Sequence, residues 1–343
     1  MAQRPLTDAR LTPRHLARGL WLAFALLVLA VAVATVVGSV RLDLGAIVSG
    51  LGTDRAIFFR LRLPRIALAA IVGAALASSG AALQPMLRNP LASPDIIGVS
   101  GGAALGAVGA LAFLPASPSA DLLVPLVAFV GASLSSAIVY RLSLVNRRLE
   151  PTTQLLVGVI FNTFAAAAIL LITAIVDVTR SQTIVFWLMG GLAAHPVATL
   201  VAAAVIVSIG AVILTAHAHA LNLLALGDDT AAHLGVDLAR TRRRVFGVSA
   251  LLVGTVVSLS GVISFVGLIV PHLLRRSLGS DNRLLIPASF LAGAAFLVTC
   301  DAVCRSLIAP AELPVGSITA LTGGPFFIYL LRRRPRHDES PGL

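Results

Sequence analysis

The sequence predicts an all-α polytopic membrane protein with ten transmembrane helices. Three observations carry this. Apolar residues make up 57% of the chain and charged ones only 12%. The apolar residues gather into stretches about as long as a bilayer is thick. The arginines fall between those stretches or near their ends. A hydrocarbon core of about 30 Å takes about 20 helical residues to cross. The spans run Leu20–Val40, Ile66–Leu83, Ile96–Leu114, Leu122–Leu142, Leu155–Val176, Val197–Leu214, Val245–Ile263, Phe265–Leu278, Leu284–Val303 and Ile318–Leu331. Almost no length remains for a soluble domain. The function is therefore something done across a membrane, and short loops must hold most of its specificity.

Residues 1–18 form a basic segment with Arg4, Arg10, Arg14 and Arg18 ahead of the first span. A signal peptide has this pattern too. The 21-residue apolar run is long for one, and no sizeable polar domain follows, so an uncleaved first span is the reading adopted. The membrane domain then covers 19–334 and a short tail 335–343. The third span carries Gly98, Gly102 and Gly106, two overlapping G-x-x-x-G steps that let helix backbones approach closely. Asn89-Pro90 and Ser93-Pro94 punctuate the turn before it, and Pro271 interrupts the short eighth span. Val72-Gly73 with Ser79-Gly80 is echoed by Val253-Gly254 with Ser260-Gly261, on spans expected to run in opposite directions. This is the arrangement of an inverted repeat, although four matching residues in Gly/Ser/Val-rich helices can also arise by chance.

All 26 basic residues are arginine. Without lysine there is no P-loop, whose lysine sits on the phosphates, and no Schiff-base chemistry; any ATP is bound by another chain. The net charge of +11 does not point to nucleic acid, because it lies in short clusters between apolar spans. With a cytoplasmic N-terminus and ten alternating spans, both termini are cytoplasmic, and 19 arginines fall inside against seven outside. This obeys the positive-inside rule. It leaves the outer arginines, among them Arg62, Arg65, Arg180 and Arg305, in need of another reason.

Cys300 and Cys304 lie one helical turn apart and read as small packing residues. His195, His217, His219 and His233 are scattered over loops and form no metal constellation, so no bound metal and no cofactor are expected. Asp177 and Asp301 lie near span ends, and no acidic residue is expected mid-span. That scarcity argues against an ion-coupled secondary transporter, the alternative class, which His272 and Asp301 keep open. No catalytic cluster faces either side, so no enzyme activity is expected.

The longest cytoplasmic loop runs over about 217–244. Within it Ala225-Leu226-Gly227-Asp228-Asp229 and His233-Leu234-Gly235 bracket a short helix-forming segment. Acidic residues at its start suit the helix dipole and Gly235 suits a helix stop. A helix lying across the membrane face is either a docking element for another protein or a solvated connector.

From about Leu61 to Arg333 the chain resembles the permease subunits of binding-protein-dependent ABC importers for ferric siderophores, haem and cobalamin. The matching stretches are Leu61-Arg62-Leu63-Pro64-Arg65, Gly80 to Gln84, Arg88-Asn89-Pro90-Leu91-Ala92 with Gly98-Val99-Ser100, Leu223 to Gly227 with Leu234-Gly235, Gly261 to Arg275, and Ala311-Glu312-Leu313-Pro314-Val315-Gly316. The resemblance implies a ten-helix type II importer permease in a bacterial inner membrane. Its partners would be a second permease subunit, ABC ATPase subunits and an outer substrate-binding protein, and the iron would travel inside its chelator. It implies a coupling helix over Ala225, Leu226, Gly227, Asp228, Asp229, Leu234 and Gly235 that fits a cleft on the ATPase. It implies binding-protein docking at Arg62, Arg65 and Arg305, and a cytoplasmic gate at about Thr152 and Thr153. A ferric siderophore is the first expectation for the substrate, with haem and cobalamin as alternatives.

Overall fold

The structure is a computed structural model and describes residues 12–38, 53–115, 120–145, 148–309 and 311–332. Every predicted span falls on a helix. They are α1 (Pro13–Val36), α3 (Leu63–Met86), α4 (Val99–Phe113), α5 (Ala120–Leu142), α6 (Pro151–Ile175), α8 (Val197–Ala216), α11 (Leu238–Ser260), α12 (Val266–Leu278), α13 (Asn282–Ser306) and α14 (Val315–Arg332). Among the described residues seven helical segments are long and apolar enough to cross a bilayer alone. The predicted third and eighth spans are shorter helices, 15 and 13 residues, or about 22 and 20 Å. The remaining helices connect: α2 (Thr53–Ile57), α7 (Val178–Leu188), α9 (Ala218–Leu224) and α10 (Asp228–His233). The basic segment 1–11, the loop 39–52 and the tail from 333 lie outside the described residues.

Helix α3 is the axis. Its apolar window is 83% buried, against 22% in α1 and 17% in α6, which are peripheral. Small residues make this possible. A Cβ built on Gly73 would stand 2.1 Å from the Gly293 carbonyl oxygen of α13, and one on Gly80 would stand 1.9 Å from that of Gly267 on α12. The two G-x-x-x-G steps serve the α4–α5 contact: a Cβ on Gly102 would lie 2.0 Å from Ser135 Oγ, and one on Gly106 would lie 2.6 Å from the Val127 carbonyl. Dense packing, not loose association of spans, is what the small residues produce.

Three departures from the sequence expectation have local causes. The second helix begins well before Ile66. α2 runs into a π-helical turn (Phe58–Arg62) and then α3, with Leu63 N–H donating to the Phe58 carbonyl. Pro64 has no N–H to give its preceding turn, so the turn widens there. The third helix begins at Val99, preceded by a 3₁₀ turn (Pro94–Ile97) and by Gly98 at φ +77°. After α6 the chain forms α7, capped by Asp177 accepting from Arg180 N–H at 3.0 Å.

Helices α3 and α11 run in opposite directions. Arg65 meets Asp301 at one end of the bundle, and Arg88, just beyond α3, approaches Asp228 at the other, where α11 begins. The two copies of the sequence echo therefore have the relative orientation of an inverted repeat.

Candidate functional site

At one end of the bundle the predicted coupling segment forms α9, a tight turn and α10. Leu221, Leu224 and Ala231 are buried and seat the pair on the core. Gly227 at φ +121° makes the turn into α10, a conformation closed to residues with side chains. The C-terminus is a Schellman motif: Val236 N–H donates to the Ala231 carbonyl and Gly235 N–H to that of Ala232, both at 3.0 Å, with Gly235 at φ +84°. Leu226 and Leu234 flank the helix with their side chains exposed, 67% and 60%. The short helix thus sits between two solvent-facing leucines beyond the end of a membrane span. Asp228, at its first position, accepts from Arg242 at 2.7 Å and stands 3.9 Å from Arg88. Asp229 is exposed beside it.

In the arginine run at the start of α11, Arg243 and Arg244 are exposed, but Arg242 is buried and donates also to the Leu149 carbonyl at 3.2 Å. Leu149 belongs to a two-residue strand, Arg148–Leu149, paired antiparallel with Leu144–Val145. Glu150 follows and caps α6. Its carboxylate accepts from Thr152 N–H at 3.1 Å and from Thr153 N–H. Hydrogen bonds from Thr153, through side chain and backbone, and then from Thr152 hold the Glu150 carboxyl down to about 2. The predicted gate residues thus occupy the first turn of α6. A cleft of about 780 Å³, with Arg88, Arg148, Glu150, Asp228 and Arg242 on its walls, separates them from α10.

Two tethers here were not anticipated. Asn222 on α9 donates to Asp281 at 2.8 Å and accepts from Asn282 N–H at 2.9 Å, which fastens α9 to the start of α13. Gln84 accepts from Arg275 at 2.7 Å and donates to the Gly267 carbonyl at 3.3 Å. Both residues of the second tether lie in resemblance stretches far apart in sequence, Gly80–Gln84 and Gly261–Arg275, so the fold brings those stretches together.

At the opposite end Arg62, Arg65 and Arg305 converge with Asp301. Asp301 is fully buried and binds Arg305 Nε and Arg65 Nε through its two oxygens, each at 2.8 Å. Arg65 also pairs with Glu312, and Arg62 donates to the Thr35 carbonyl of α1 at 2.8 Å. Arg62 and Arg305 are buried; Arg65 is partly exposed. These arginines are therefore internal ties among α1, α3 and α13, and Asp301 is the residue that sequence reading underweighted. Arg180 has a similar explanation: it pairs with Asp177 at 3.4 Å and donates to the Ala112 carbonyl at the end of α4.

The expectation of no acidic residue mid-span needs correction. Gly267 packs against both the Leu76 carbonyl, midway along α3, and the Pro94 ring. The 3₁₀ turn after Pro94 therefore re-enters the bundle and carries Asp95 with it. Ser100 Oγ donates to Asp95 Oδ1 at 2.7 Å, and Asn162 on α6 donates to the Asp95 carbonyl at 2.8 Å. They line a cavity of about 240 Å³ with Val262 and Ser264. Asn-Pro and Ser-Pro read as loop; nothing local reveals that the loop turns inward.

A tightly packed helical bundle with broken helices in its interior and an exposed short helix beyond one end defines a multi-pass membrane transport protein. The comparisons agree. A model of the FecCD transport family matches residues 26–333, and the chain belongs to that family. It is 41% identical over 281 residues to the hemin transport system permease protein HmuU of Yersinia pestis, covering 81% of this chain and 84% of that one. It is 43% identical over 286 residues to the cobalamin import system permease protein BtuC of Halobacterium salinarum (82% and 75% covered). To the iron(3+)-hydroxamate import system permease protein FhuB of Bacillus subtilis it is 39% identical over 285 residues (83% and 73% covered). A solved structure described as a metal-chelate type ABC transporter in an inward-facing conformation superposes with a TM-score of 0.81 at 33% identity, over 93% of this chain and all of that one.

Proposed function

We propose that this protein is the permease subunit of an ATP-driven importer of a metal chelate, in a bacterial inner membrane with both termini cytoplasmic. The observation that carries the proposal is α10: a rigid, capped helix with exposed Leu226 and Leu234 at the end of the bundle richer in arginine. An ATPase subunit docks there, a second permease subunit completes the pathway, and Thr152 and Thr153 form the gate. The permease supplies the path and no chemistry of its own. A substrate-binding protein docks at the opposite end. Arg65 with Glu312 meets its charged groups directly, while Arg62 and Arg305 act through the network that holds Arg65 in place. The substrate proposed is a ferric siderophore, supported by the relatives named for iron-hydroxamate and iron-citrate import.

The test is uptake into a strain lacking this gene, with radiolabelled ferric hydroxamate, haem and cobalamin supplied side by side. Loss of ferric hydroxamate uptake alone, restored by the gene, is expected. Loss of haem or cobalamin uptake instead replaces the substrate and keeps the importer. Transport driven by a proton gradient without any ATPase overturns the importer reading.

A further inference from the structure

The two segments read as coupling helix and gate are not adjacent in sequence and are parted by a cleft. One side chain joins them. Arg242 on α11 sends Nη2 to Asp228, the first residue of α10, at 2.7 Å, and Nη1 to the carbonyl of Leu149 at 3.2 Å. Leu149 is followed by Glu150, whose side chain caps α6 and whose N–H donates to the Ser143 carbonyl at 3.1 Å. Arg242 and Leu149 are each 4% exposed, and Ser143 is fully buried. The middle of the link from α10 to the first turn of α6, Arg242 with Leu149 and Ser143, is therefore close-packed with little freedom to slip, while Asp228 at its α10 end is 32% exposed on the cleft wall. A planar guanidinium holds two acceptors in fixed relative positions, which an ammonium does not. Arg242 Nε has no hydrogen-bond partner among the described residues. Burying a guanidinium with a donor unused is costly, and solvating it with apolar neighbours gains nothing; the two bonds that remain are the ones that span the cleft.

We propose that Arg242 is a positioning residue that transmits displacement of α10 to the N-terminus of α6, so that ATPase movement reaches the gate. This rests on the docking reading of α10 given above. Arg88, at 3.9 Å from Asp228 and 45% exposed, is a looser second holder of α10 and makes no bond to the α6 side among the described residues.

The experiment uses the full chain in complex with its ATPase and binding protein in proteoliposomes, with Cys300 and Cys304 replaced by serine. Spin labels are placed at Ala232 on α10 or Leu156 on α6, each paired with a label at Val212 on α8. Nucleotide is expected to shift both distances in the parent. With Arg242→Ala the Ala232 shift is expected to persist and the Leu156 shift to vanish, with ATP hydrolysis retained and uptake down tenfold or more. Arg242→Lys, which cannot hold both acceptors, is expected to leave uptake low. Asp228→Ala cuts the same link on the other side, so the double variant should lose no more uptake than the worse single variant. This comparison stands even if one variant folds less well. A full Leu156 shift with Arg242→Ala, or losses that multiply in the double variant, overturns the proposal. If nucleotide moves neither label in the parent, the docking reading itself fails, and this proposal with it.

Discussion

Arg305 Nε and Asp301 Oδ2 meet at 2.8 Å one turn apart on α13, and neither side chain is more than 4% exposed. The other carboxylate oxygen is taken by Arg65 from α3. One buried anion thus holds two cations on two helices. Removing one member of such a set leaves an uncompensated buried charge, at a cost of about 3–5 kcal/mol. Asp301→Asn is therefore expected to lower stability by that order in a denaturation series in bicelles. Arg305→Glu, which sets a second carboxylate against Asp301, should be at least as damaging. Arg65→Gln should cost less, because Arg65 is partly exposed. Unchanged stability in all three variants would mean that these arginines serve docking alone.

Helix α3 depends on the absence of side-chain atoms. Gly80→Ala places a methyl 1.9 Å from the Gly267 carbonyl, and relief requires backbone movement. Overpacking of this kind costs about 1–3 kcal/mol. Gly109→Ala on α4 meets nothing within 4 Å and serves as the control. Thermal unfolding in detergent should separate the two variants clearly, with Gly109→Ala at or above the parent.

The cap on α6 is pH-sensitive. The Glu150 carboxyl is held at about 2, below its ordinary 4.5. A depressed carboxyl contributes stability that is present above 4.5 and is lost as the pH falls from 4.5 through about 2. Amide exchange at Thr152 and Thr153, expressed as protection factors, should fall over that window. In Glu150→Gln the protection should be lower at neutral pH and should not vary with pH over the same range.

Gly227 sits at φ +121°, and proline holds φ near −65°. Gly227→Pro is expected to misdirect α10 while leaving the membrane helices folded. Complexes carrying it should bind or hydrolyse ATP without uptake. Asp228→Arg should do the same, since it opposes both Arg242 and Arg88. Normal uptake in Gly227→Pro would remove α10 from the coupling path.

Topology has its own check. A reporter active only in the cytoplasm, fused after Leu343, should be active, and one active only outside should report from the loop between Asp43 and Arg55. An outside signal at the C-terminus contradicts the assignment of ends.

The ten spans, the close packing of α4 against a neighbour and the capped helix α10 were legible in the sequence. Each follows from neighbouring residues: a bilayer demands long apolar runs, G-x-x-x-G puts small residues on one face, and a cap needs a glycine at a left-handed position. The π turn before α3 was harder, because Pro64 announces a lost hydrogen bond without saying how the backbone adjusts. What only the tertiary structure decided is where charged groups end up when distant segments meet. Arg62 and Arg305, outer arginines by sequence, are buried; Arg242, one of a run of arginines after the loop, joins Asp228 to the Leu149 carbonyl; Asp95 read as part of a loop and lies inside the bundle. The physical reason is the same in each case. Apolar periodicity records which face of a helix avoids water, whereas an ion pair or a re-entrant turn depends on partners on other elements, such as Leu149 for Arg242 at a separation of 93 and Asp301 for Arg65 at 236.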